Sequence, residues 1–100
     1  MSGLSAAEGG ELGIQDFSGS VGEAFEVATV AGLRLVLEGV EPLGHSPRPG
    51  GAFSLLFRGP ADPVLPQAIY ELSGGGESHE IFIVPIARDS AGTQYQAIFN

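Results

Sequence analysis

A chain of 100 residues with 43% hydrophobic and 16% charged residues is one globular domain with one modest core. Its net charge is −8, and its four basic residues are all arginines, spread out as Arg34, Arg48, Arg58 and Arg88. That pattern excludes a basic patch for nucleic acid and disfavours an anionic membrane surface, and the absence of lysine excludes Schiff-base chemistry.

Cysteine is also absent, so disulfides, thiolate metal sites and cysteine nucleophiles are excluded together. No apolar run approaches the roughly 20 residues of a membrane helix, and no membrane insertion is expected. The N-terminus lacks the basic and apolar regions of a signal peptide. Synthesis in the cytoplasm is the expectation, with a place in an exported or extracellular assembly left open.

Residues 1–13, MSGLSAAEGGELG, read as an N-terminal arm in which Gly9 and Gly10 weaken any helix. Residues 14–100 read as a single β-domain. From Phe17 onward the pattern is β. FEVATV places Phe25, Val27 and Thr29 on one face, and LRLVL does so with Leu33, Leu35 and Leu37. A three-residue loop, Val30 to Gly32, would pair Thr29 with Leu33, Val27 with Leu35 and Phe25 with Leu37. It gathers the apolar face and sets Glu26 diagonal to Arg34. The long irregular stretch LGHSPRPGG, Leu43 to Gly51, carries His45 and Arg48 as candidate contact residues.

FSLLF puts Phe53, Leu55 and Phe57 on one face and sends Arg58 to the other with Ser54 and Leu56. Gly59-Pro60 then breaks the strand, and Asp62 follows within reach. The expected role of Arg58 is a structural tie, its planar fork bonded to Asp62 or to loop carbonyls. AIYEL offers Ala68, Tyr70 and Leu72. SGGGESHE precedes a strand and lacks the Lys-Ser/Thr ending of a phosphate loop, so it reads as a flexible inter-strand loop. His79 lies near Glu71, Glu77 and Glu80 in sequence, but His79 and Glu80 fall on opposite strand faces, and no metal is expected.

IFIVPI is apolar on both faces, as a central or doubly covered strand would be. Pro85 lacks an N–H, which argues for an edge or a bulge. An edge would make Ile81, Ile83 and Pro85 candidate interface residues. ARDSAGTQY marks a hairpin turn through Asp89, Ser90 and Gly92, leading to the last strand with Tyr95, Ala97 and Phe99. Together these segments predict an all-β fold, a small antiparallel barrel or sandwich of about six to seven strands.

No G-x-S-x-G occurs, and no Ser/His/Asp set has suggestive local context. The chain is therefore expected not to be an enzyme, and to use no cofactor.

FSLLFRGP, LPQAIYEL, IFIVPI and YQAIFN resemble a family of small bacterial proteins known only as a domain of unknown function. Its marks are a strand ending Phe-Arg-Gly-Pro, a Pro-Gln-x-x-Tyr strand, a strand ending Val-Pro and a C-terminal Tyr-x-Ala-x-Phe-Asn. The likeness covers Phe53 to Asn100, and more weakly DFSGSVGEAFEV. It implies no established activity and no catalytic residues. It implies an association with phage-tail-like or tail-collar fibre genes. The resulting expectation is a non-enzymatic structural or adaptor domain with a protein partner or self-assembly. The alternatives are a small-ligand-binding barrel, an enzyme with an unrecognised site, or a regulatory binder of one protein.

Overall fold

Alternation dictates the architecture. Strands whose alternate positions are apolar bury that face by packing on a second layer or by curling around a shared interior. The computed structural model, which describes residues 13–44 and 51–99, shows this curl completed. One helical turn, α1 (Gln15–Ser18), precedes six strands: β1 (Ala24–Val27), β2 (Arg34–Pro42), β3 (Phe53–Gly59), β4 (Ala68–Gly74), β5 (Glu77–Asp89) and β6 (Gly92–Phe99). All neighbours are antiparallel, and the sheet closes as a barrel in the order β1-β2-β3-β6-β5-β4. Two three-stranded meanders, β1–β3 and β4–β6, thus meet along two seams. Residues 60–67 carry the chain from one to the other across an end of the barrel. No described helix is long and apolar enough to cross a membrane.

The interior is filled by side chains. Phe25, Val27, Leu35, Leu37, Phe53, Leu55, Phe57, Leu72, Ile81, Ile83, Tyr95 and Ala97 are all buried. Each of the larger ones contributes about 1.5–3 kcal/mol by leaving water. Both ends are plugged. At one end Phe17 of α1 sits 6.1 Å from the rings of both Phe53 and Phe99, and 5.4 Å from the His79 ring. At the other, Leu65 of the crossover is buried, and its N–H donates to the Tyr95 hydroxyl at 2.8 Å. Phe17 thus lies in a helical turn, although the pattern reads as β from that residue onward. The turn is local: Gly13 N–H donates to Asp16 Oδ2 at 2.7 Å, and Gly19 ends it.

The first hairpin departs from the expected register. Phe25 pairs with Leu35 and Glu26 with Arg34, so five residues, 28–32, form the connection. The inward faces are as expected, because lengthening the loop by two residues preserves parity. The loop opens because β1 is shared: Val27 pairs with Leu72 of β4, and Ala28 N–H donates to the Glu71 carbonyl. That commitment carries Ala28 and Thr29 away from β2. The expected flexible loop at 73–80 is also corrected. Gly75 and Gly76 take φ of +62° and +83° and make a two-residue turn between Gly74 and Glu77. Two adjacent residues at positive φ suit the right-handed strand twist and favour glycine. Asp89 behaves as expected, its Oδ1 accepting from Ala91 N–H at 2.8 Å.

IFIVPI proves central, between β4 and β6, and closure leaves it no edge. Pro85 pairs with Tyr95 but Ala87 pairs with Gln94, so Ile86 is an extra, bulged residue. A second bulge lies in β2: Leu37 pairs with Phe57 and Gly39 with Leu56, leaving Glu38 extra. Bulges bend the strand and re-aim side chains, and these two shape the outer surface.

Candidate interaction face on the barrel exterior

The bulge at Glu38 turns its carboxylate toward β3. Arg58 Nε donates to Glu38 Oε2 at 2.7 Å, and Gln94 Nε2 donates to Oε1 at 3.3 Å. Arg58 Nη1 is shielded and makes no hydrogen bond, but lies 3.9 Å from Asp89 Oδ1. This corrects the expected Arg58–Asp62 tie. The ladder fixes Arg58 opposite Val36 and Gln94, beside the Glu38 bulge, so its fork meets β2. Asp62 does anchor the crossover, but through Arg88, whose Nε donates to the Ala61 carbonyl at 2.6 Å and whose Nη2 reaches Asp62 at 3.2 Å. Sequence distance favoured Asp62 for Arg58; the one local signal of a bulge at Glu38 was Gly39, a lone glycine inside the strand pattern.

The Arg58 hydrogen bond holds the Glu38 carboxyl below its ordinary value of 4.5; partial burial opposes this, and the Gln94 bond and the Arg58 charge assist it. Glu38 in turn holds the Arg58 guanidinium in its charged form. A carboxyl depressed by folding stabilises the fold above its unfolded value and loses that contribution as pH falls through the folded value. Glu38→Gln is therefore expected to lower the melting midpoint slightly at neutral pH, with the gap to wild type closing at an acid pH below the folded value. Equal gaps at both pH values, by circular dichroism melts, would show that the ion pair does not carry the effect.

The other outer side chains are unusually apolar. Ile69 is 64% exposed, Phe82 50%, Ile98 54% and Ile86 49%. Ile69 pairs with Phe82 across β4 and β5, and Ile98 pairs with Ser54 across β6 and β3. Phe82 and Ile98 lie two residues beyond the Val84–Gln96 pair, on the same face. This places the apolar strip one residue out of phase with the expected interface. Ile81 and Ile83 are buried in the barrel interior, and Pro85, opposite Tyr95, is half-buried. Closure removes the edge that would have exposed them. His45 and Arg48, the other two candidates, lie outside the described residues.

Beside the strip the two bulges leave a groove of about 410 Å³. Leu56 and Ile86 line it, Gln96 and Ser54 supply polar groups, and Glu41 stands at its rim. Gly39 leaves it open: a Cβ there would meet no atom within 4 Å. A second, more polar hollow of about 230 Å³ lies at the Phe17 end, lined by Asp16, Glu23, Glu77 and His79. His79 Nε2 is 3.5 Å from Glu77 Oε1 and its ring rests on Phe17. Glu71 is on the outer face, opposite Glu80. Among the described residues no three histidine or carboxylate groups converge as a metal site would require.

Fold and surface together define a closed, six-stranded antiparallel barrel with a filled interior and an apolar outer strip. Residues 12–99 match the family described as a domain of unknown function, DUF6916, and the chain belongs to that family. No curated protein and no solved structure matches the chain significantly.

Proposed function

We propose that this domain is a non-enzymatic structural or adaptor unit of a larger protein assembly, working by contact through its outer face. The observation that carries the reading is the exposed strip of Ile69, Phe82 and Ile98, continuous with the groove at Gly39. Large apolar side chains grouped on a sheet exterior mark interaction sites. A phage-tail-like or tail-collar fibre assembly is the setting that the resemblance of FRGP, VP and YQAIFN implies. In that setting the chain is made in the cytoplasm and leaves it only as part of the assembly. A small-ligand site inside the barrel is disfavoured by the side chains that fill it, among them Phe57, Leu55 and Tyr95.

The test is site-specific photocrosslinking in the native cell. A photoreactive phenylalanine analogue at position 82 should give a discrete protein adduct, whereas the same analogue at Arg34, on β2 and three strands around the barrel from β5, should not. Absence of any adduct from position 82, with the domain folded and present, would refute the reading.

A further inference from the structure

We propose that the groove at Gly39 and its adjoining strip dock a protein segment presenting an apolar side chain flanked by lysine or arginine. This rests on the contact reading above and names the chemistry of the partner.

The groove has room. Its volume of about 410 Å³ exceeds the roughly 150 Å³ in which an apolar cavity accepts benzene. Its walls are Leu56 and Ile86, and its floor is open at Gly39. An apolar side chain placed there is covered by the strip on one side.

Charge selects the partner. Glu41 stands at the groove's rim, while Glu71 and Glu80 face each other in the pair next to Ile69 and Phe82. Like charges directly opposite on a sheet repel. Among the described residues no arginine or histidine pairs with any of these three acids. The described arginines are already engaged: Arg34 with Glu26, Arg58 with Glu38, Arg88 with Asp62. Glu71 accepts from the Ser78 hydroxyl at 2.6 Å, but among the described residues no cation faces these acids, and a docked cation relieves their repulsion. A second copy of this chain would bring the same acids to the same rim, which argues against self-association.

The experiment pans a displayed random-peptide library on the purified domain and on its Gly39→Leu variant. The backbone at Gly39 is not in the left-handed region and its Cβ position is open, so Gly39→Leu fills the groove in a folded protein. Glu80→Lys, on the exposed surface, is a second variant that reverses charge without touching the groove. Enriched peptides should carry a leucine, isoleucine or phenylalanine beside lysine or arginine. They should lose roughly tenfold or more in affinity on either variant, and weaken as salt rises. No enrichment, an acidic or neutral consensus, or undiminished binding to Gly39→Leu would overturn the proposal. So would a position-82 adduct of the mass of two copies of this chain. Those results leave the contact reading standing if an adduct forms; only the absence of an adduct removes both.

Discussion

Tyr95→Ala is expected to destabilise the barrel by about 3–5 kcal/mol, the range for removing a large buried ring. The side chain is fully buried and opposite Phe57 and Pro85. Its hydroxyl also holds the crossover by accepting from Leu65 N–H. Tyr95→Phe separates these roles. It keeps the ring and leaves a buried donor unpaired, at about 1–3 kcal/mol. Chemical denaturation of both variants measures the division. For a domain at the lower end of ordinary stability, about 5 kcal/mol, the alanine variant approaches the limit of folding. If Tyr95→Phe matches wild type, the crossover is held by Leu65 burial and not by the hydrogen bond.

Gly92→Ala should be comparably severe, at about 3 kcal/mol or more. Gly92 adopts φ of +141°, and a Cβ there would collide with the Gly59 carbonyl oxygen and press on Arg58 Cγ at 3.3 Å. Neither side can move freely. Gly92 is paired with Asp89, and Gly59 with Thr93. Gly32→Ala is the matched control. It also has positive φ, +81°, but nothing lies within 4 Å of its Cβ position. The conformational cost alone, about 1–2 kcal/mol, is expected there. A Gly92→Ala variant no less stable than Gly32→Ala would show that the backbone yields.

The sequence was most legible where parity decides. Phe53, Leu55, Phe57, Leu35, Leu37, Leu72 and Ala97 all face inward as alternation predicts, and Pro85 marked a bulge as one of its two readings. Legibility failed where a residue answers to two neighbours. The five-residue hairpin loop depends on Ala28 bonding to β4, a strand more than 40 residues away in the chain. The Glu38 bulge depends on how β2 meets β3, and it redirects Arg58 away from the acid nearest in sequence. The strip was missed because IFIVPI offers two apolar faces, and alternation alone does not say which is inside. Tyr70–Ile81 and Ala68–Ile83 pairing settles it. A signal was nonetheless present: Ile69 and Ile98 are apolar at positions where their strands should show polar residues to water.

The Phe57-Arg58-Gly59-Pro60 mark can now be read as structure. Phe57 fills the interior, Arg58 binds the β2 bulge, and a Cβ at Gly59 would come within 2.6 Å of Leu35. Side chain, charge and absence of a side chain each meet the first meander at a different point. That reading requires no catalytic role for any of the four.

The division into two meanders has a consequence for folding. Neither half completes its sheet alone, since β1 and β3, and likewise β4 and β6, wait for strands of the other. Closing the seams is therefore an association reaction made intramolecular by residues 60–67. Such a tether sets the effective concentration at which the halves meet. When the chain is dilute, each half closes on its own partner. Where many copies are crowded together, the corresponding half of a neighbour competes for the same seams. An exchanged pair would then bury the same interior and differ from two separate barrels only in the path of the crossover.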